Sequence, residues 1–248
     1  MRITRLVPLF SLLFVQTMMP QENRNIEHQT LSWIRYYTII PVAEKWDIHS
    51  EIDNRSFLIP VSQNVFVVRV QGRYRLNKAT DFGGGFAYFN VNTQQPDNNP
   101  EYEIPEYRAQ QDVTITKEIS NFTLSNRFQL EERFIQKTTK TALLNEFSFA
   151  LRFRYRLQVT STLWEKDKKS LEAVVSDEIL FNYGKENKQN FFDQNRIYAA
   201  TRFHFNPTTG LELGFLKNFQ RRASGVDFFD RDIIRLTFYH RFRKTLKS

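Results

Sequence analysis

Hydrophobic and polar residues alternate with a period of two along most of the chain between Thr30 and Arg243. The clearest stretch runs from Glu146 to Val159. There Phe147, Phe149, Leu151, Phe153, Tyr155, Leu157 and Val159 share one parity, and Arg152, Arg154, Arg156 and Gln158 share the other. Successive side chains of a strand point to opposite faces, so this segment predicts a strand with one apolar and one cationic face. No helical spacing fits it. The pattern returns where Val68, Val70, Tyr74 and Leu76 oppose Arg69, Gln71, Arg73 and Arg75. It returns again where Phe122, Leu124, Phe128 and Leu130 oppose Arg127, Gln129, Glu131 and Arg133. Near the end, Ile234, Leu236, Phe238 and Phe242 oppose Arg235, Thr237, Tyr239, Arg241 and Arg243.

This reading places strands at 31–40, 45–56, 64–76, 81–92, 106–118, 121–134, 145–160, 172–182, 195–206, 210–220 and 232–243. Long polar connections at 93–105, 135–144, 183–194 and 221–231 alternate with short ones at 77–80, at 119–120 and around Pro207. The fold expected is all-β, a single antiparallel up-and-down transmembrane β-barrel of about 10–12 strands, since strands of ~9–11 residues cross a bilayer when tilted. A secreted soluble barrel or sandwich would alternate too, with the apolar face turned inward. Two features sit awkwardly with a transmembrane barrel. Single-chain bacterial barrels have an even number of strands, so one of the eleven assignments, near 31–56, is expected to be wrong. The connection at 163–171 is also longer than a periplasmic turn.

Composition narrows the class. The chain is 41% apolar with a mean hydropathy of −0.51, too polar for a bundle of membrane helices. A barrel tolerates this because only alternate strand residues meet lipid. The 24 Phe and 10 Tyr suit strands and membrane interfaces. Without cysteine there is no disulfide and no lipid anchor on an N-terminal Cys. A net charge of +8 and a pI near 9.6 favour an anionic partner: nucleic acid, anionic lipid or a small anionic solute. The strict registration of Arg opposite apolar residues argues against nucleic acid, whose binders gather charge on an accessible face. Arg2 and Arg5 precede an apolar run from Leu6 to Val15, the form of a secretory signal peptide. Residues 1–21 are therefore expected to be removed, leaving 22–248 as a barrel in the bacterial outer membrane. Outer-membrane lipid and the barrel-assembly machinery are its expected partners.

An ordered series of short motifs resembles a known family. The series begins with Trp33, then Trp46 with Glu51 and Arg55, then Glu106, Arg108 and Gln111. Arg127, Glu131, Glu132 and Arg133 follow, then Arg152, Arg154 and Arg156, then Asp177, Glu178 and Asn182, and finally Gln194 and Arg196. In this order they are similar to the uncharacterised family numbered 2490 among domains of unknown function. The resemblance spans about Thr30 to Arg243. It implies an outer-membrane barrel and no established activity. The chain departs from the usual barrel ending in that Phe242 is followed by six further residues.

The arginine rows are the main candidate chemistry. Arg69, Arg73, Arg75, Arg127, Arg133, Arg152, Arg154, Arg156, Arg202, Arg235 and Arg241 are expected to line the lumen, faced by Glu51, Asp53, Asp112, Glu131 and Glu178. They would either fill it with ion pairs, because buried charges must be paired, or form a narrow anion-preferring pore. His49, Glu51 and Asp53 share one face and could begin a metal site, but Arg55 in the same row makes an ion-pair network the better reading. No cofactor and no metal are expected. His240, on the apolar parity, would serve a membrane-embedded lipid-modifying enzyme only with a nucleophile and an orienting partner, and the sequence supplies neither. Gly83–Gly84–Gly85 lacks the Lys-Ser/Thr of a phosphate loop and suggests a strand bend or room for a bulky neighbour. The connections carrying Tyr102, Phe191 and Phe192 are candidate ligand or partner loops.

Overall fold

The computed structural model describes residues 24–97, 102–139, 141–184 and 191–243. The expected signal peptide lies outside these residues. Eleven strands make up the described chain: β1 (Ile26–Pro41), β2 (Trp46–Leu58), β3 (Val61–Arg75), β4 (Thr80–Val91), β5 (Ile104–Ile119), β6 (Phe122–Thr138), β7 (Leu143–Lys166), β8 (Lys169–Gly184), β9 (Phe192–Asn206), β10 (Thr209–Arg221) and β11 (Phe228–Arg241). Each is hydrogen-bonded to its sequence neighbours, and β1 pairs with β11 to close a barrel.

Every consecutive pairing is antiparallel, but the closing pair is parallel, from Ile26 opposite Phe228 to Ile39 opposite Arg241. The reason is topological. Each hairpin reverses the chain, so with an odd number of strands the first and last run the same way. Thus the expectation of an even count, and of a misassigned strand near 31–56, is overturned. All eleven assignments correspond to strands, and two separate strands cover 31–56. The seam is fastened at one rim by Asp227, whose carboxylate accepts from the Asn25 N–H (3.0 Å) and the Ser224 hydroxyl (2.9 Å). These bonds hold the Asp227 carboxyl below its ordinary pKa.

The connection expected at 163–171 is also corrected. Strand β7 runs on to Lys166 and β8 begins at Lys169, leaving a two-residue turn at 167–168. Asp167 takes φ of 57° there, the left-handed region that tight hairpins require and that Asp tolerates. The β6–β7 connection is likewise shorter than expected, covering 139–142.

The alternation read from sequence becomes an inside and an outside. On the outer face Val70, Phe86, Phe128, Phe149, Val175, Ile197, Leu213, Phe215 and Ile234 are all exposed. The opposite parity is buried and largely charged, with Glu51, Asp53, Glu106, Arg108, Asp112, Glu131, Arg152, Arg154, Glu178 and Glu212 among its members. A soluble barrel would show the reverse. Among the described residues, buried apolar side chains gather in two patches. One joins Leu31, Trp33, Phe57, Tyr198, Leu216 and Ile233; the other joins Val65, Val67, Ala87 and Phe89.

Candidate functional site: an arginine–carboxylate lumen

Among the described residues, two cavities lie inside the barrel. One, of about 190 Å³, is walled by residues from all eleven strands, so it can only be the lumen. The second, about 260 Å³, lies toward the end bearing the short turns, next to Tyr37, His49, Arg73, Thr114 and Arg202. Arg35, Glu51, Arg69, Arg127, Arg156, Gln158 and Arg235 line both and form the layer between them.

A chain of alternating charges crosses four strands. Glu106 on β5 accepts from Arg133 Nε (2.5 Å) and from Arg108 Nε (2.7 Å). Arg108 Nη1 reaches Glu131 at 3.1 Å, and Arg154 Nη1 reaches the other oxygen of Glu131 at 2.5 Å. Arg154 then donates through Nη2 to both oxygens of Glu178 (2.9 and 2.8 Å), and Arg127 donates to Glu178 at 2.6 Å. Planar guanidinium forks suit carboxylates in this way, each fork satisfying more than one acceptor. The Arg127–Glu178 pair joins β6 to β8 across β7. Such contacts are available only where side chains converge inside a closed sheet.

The remaining expected residues fall around this chain. Arg69 pairs with Glu51 at 2.6 Å and Arg73 with Asp112 at 3.0 Å. Arg202 and Arg235 share Glu212 at 2.7 and 2.9 Å. Arg152 pairs with Asp193 at 3.0 Å and donates to Asn182 at 2.9 Å. Arg156 lines both cavities, yet among the described residues it has no ion-pair partner, and its Nε is buried without a hydrogen bond. Arg75 and Arg241 stand apart. Both sit at the short-turn rim beside Asp47, at 3.3 and 3.8 Å, with side chains nearly half exposed.

Several interior groups lay outside the sequence-derived set. Glu212, with almost no exposure, accepts from Tyr198 (2.7 Å) besides its two arginines. Asp193 faces inward next to the inward Gln194 because a register shift interrupts the β8–β9 ladder there; a bulge turns an extra side chain to the same face. Aromatic rings seat other guanidinium groups: Arg108 over Phe89 (3.5 Å), Arg235 over Tyr198 (3.7 Å) and Arg55 over Trp33 (4.0 Å). Glycine makes room as well. A Cβ on Gly83 would fall 2.4 Å from Asp112 Oδ1 and 2.9 Å from Arg73 Nη1, so its absence admits that ion pair.

The β4–β5 connection also enters the site. Beyond Val91 the chain turns across the rim. Asn64 Nδ2 donates to the Thr93 carbonyl (2.5 Å), Gln95 Nε2 to Glu27 (2.8 Å), and Ser62 Oγ to the Pro96 carbonyl (3.1 Å). Gln94 lines the upper cavity and accepts from Arg231 Nη2 on β11 at 3.0 Å. Residues 93–96 therefore form a strap from β4 past β3 to β1 and β11, over the mouth of the lumen. In the same connection, Tyr102 donates to the Thr139 carbonyl. Phe191 stacks on Tyr183 at 5.9 Å, and Phe192 packs against Phe219 and Phe228. Residues 185–190 of the other candidate loop fall outside the described residues.

The groups considered for metal or acid–base chemistry are engaged elsewhere. His49 Nδ1 is bonded to the Tyr37 hydroxyl (2.5 Å), Glu51 to Arg69, and Asp53 to Arg55 (2.8 Å). His240 sits on the outer face, with its Nδ1 2.9 Å from the Tyr36 hydroxyl and its ring stacked on Phe242 at 4.2 Å. That is an aromatic rim cluster. Its hydrogen-bond partner is a phenol, not the activated nucleophile that covalent catalysis uses in a triad.

A family model described as "Protein of unknown function (DUF2490)" matches residues 30–230 of the chain. No curated protein matches it. Among solved structures, the beta domain of the Bordetella autotransporter BrkA is similar, with a TM-score of 0.45 and 8% identity over 80% of this chain and 82% of that one. The siderophore receptor PirA from Pseudomonas aeruginosa is similar at a TM-score of 0.31 and 14% identity, over 73% of this chain and 35% of the receptor.

Proposed function

Since the chain belongs to the DUF2490 family, which brings no activity with it, we propose its role from the lumen: a bacterial outer-membrane barrel that is closed at rest. The observation that carries this reading is the inversion of faces. Exposed Phe, Val, Ile and Leu alternate with buried Arg, Glu and Asp along the same strands. Such an outer surface matches the acyl region of a bilayer, where β-structure is stable only as a closed barrel. Export by the N-terminal signal and insertion by the barrel-assembly machinery belong to the same proposal.

Two barriers stand in the lumen. Glu51, Arg69, Arg127 and Arg235 line both cavities and narrow the lumen where these meet, and the strap at 93–96 crosses the mouth. Ion pairs within a narrow, low-dielectric lumen hold one another and exclude a continuous water column. A second reading, a narrow anion-preferring pore, is favoured by the excess of arginine over carboxylate along the cavity wall. Conductance of the refolded protein in a planar bilayer separates the two. Closed behaviour follows from the first, and steady anion-selective steps follow from the second. The lipid-modifying alternative has no support at His240.

A further inference from the structure

The upper cavity is unequally charged. Its wall includes twelve arginines and four carboxylates, Glu51, Asp53, Glu106 and Glu178. The imbalance is sharpest around Glu178. This one carboxylate is shared by Arg127 (2.6 Å), Arg154 (2.8 Å) and Arg196 (3.7 Å). Arg154 has Glu131 as well, but among the described residues Arg127 and Arg196 have no second carboxylate within ion-pair distance. Arg156 has none at all, with its Nε buried and unpartnered. Farther up, Arg231 lies over the Phe229 ring and, among the described residues, is hydrogen-bonded to neutral oxygens of Gln29, Gln220 and Gln94.

Guanidinium groups that converge on a narrow cavity without enough carboxylates to match them attract an anion, so such a cluster calls for one. From this geometry we infer that the upper lumen is a binding site for a small multivalent oxyanion of the phosphate type, held between Arg156 and Arg196. A tetrahedral oxyanion offers several acceptors to converging guanidinium forks, which chloride cannot. The cavity of about 190 Å³ admits phosphate with some of its water. The strap bears on retention: Gln94 bonds Arg231 at the mouth, so lifting residues 93–96 widens the way in and out on that side. Trp33 provides a reporter, since Arg196 lies 5.5 Å from its ring centroid.

This inference deepens the closed-lumen reading, and it is tested where conductance plays no part. Inorganic phosphate is titrated into the folded full barrel in detergent micelles at fixed ionic strength, with chloride as the replaced ion. Binding is followed by Trp33 fluorescence and by calorimetry. The inference requires saturable binding that chloride does not reproduce, weakened about tenfold or more in Arg156→Gln and Arg196→Gln, in line with loss of a charge-assisted contact. Arg75→Gln, at the opposite rim, leaves the affinity unchanged. Should Arg156→Gln fail to fold, Arg196→Gln and Arg156→Lys carry the comparison. Absence of saturable binding, or equal affinity in the folded variants, overturns the site. A barrel that binds phosphate yet conducts would sink the closed reading and spare this one.

Discussion

Glu131 on β6 has no exposed surface and lies 2.5 Å from Arg154 Nη1 on β7, with Arg108 on its other oxygen at 3.1 Å. This carboxylate joins two halves of the charge chain, one leading to Glu106 and the other to Glu178. Replacing it by Gln keeps the shape and removes the charge, leaving the guanidinium groups of Arg108, Arg152 and Arg154 around a neutral amide. Breaking a buried pair from one side costs about 3–5 kcal/mol. Glu131→Gln is accordingly expected to lower the urea midpoint of the barrel in micelles by a corresponding amount. Arg75→Gln, removing an exposed rim pair, changes it by about 1 kcal/mol or less.

Gly214 gives a packing test. A Cβ there would lie 2.3 Å from the Tyr198 hydroxyl oxygen, and Tyr198 donates to Glu212 at 2.7 Å. Gly214→Val therefore pushes the ring off Glu212 and off Arg235. A loss of about 1–3 kcal/mol follows from overpacking, read in the same unfolding experiment. Gly84, with nothing within 4 Å of its Cβ position, is the control: Gly84→Val is tolerated.

The outer face has its own prediction. Phe128 is exposed and stacks beside Tyr155 at 5.0 Å, on the parity assigned to lipid. Phe128→Arg is expected to cost about 2–4 kcal/mol in lipid vesicles, the range for a cation in the middle of the lipid face. In a soluble barrel the same change on an exposed ring would cost almost nothing.

Alternation made most of the fold legible in the sequence. Over 147–159 of β7 and 66–75 of β3 one parity is free of charged residues and largely apolar while the other carries Arg, so inside and outside could be assigned before any pairing was known. The method weakened where both parities are apolar, as at Val67–Val68 and Ile233–Ile234, and it did not separate the inner patches of Leu31, Phe57 and Leu216 from the outer surface. The parallel seam was missed because the eleven strands read from the pattern were set against the even count usual for such barrels, whereas an odd count makes the closing pair parallel.

The site was legible in its residue types and less so in its partners. Of the sixteen positions expected to face the lumen, Arg75 and Arg241 stand at the rim, where their rows run out of the barrel. Asp193 escaped notice because a bulge breaks the parity rule on which the reading relied. The strap escaped because Gln94 lies in a connection with no period, and its role comes from tertiary bonds to Arg231 and its neighbours.

The strap leads to a further expectation. Replacing Gln94 and Gln95 by Gly removes their side-chain bonds to Arg231 and Glu27 and loosens the strap, which keeps its backbone carbonyl bonds to Gln29, Asn64 and Ser62. Phosphate exchange, followed by stopped-flow Trp33 fluorescence, then becomes faster with little change in unfolding midpoint. Equal exchange rates would mean that the strap does not govern access.

The central claim, a lumen closed by its own charges, is tested most directly by electrical recording of the folded barrel in a planar bilayer under an anion gradient. The account predicts no steady current from the native chain, and steps that appear when the strap substitutions are combined with Glu51→Ala and Arg69→Ala in the dividing layer. Steady, anion-selective steps from the native chain would contradict it.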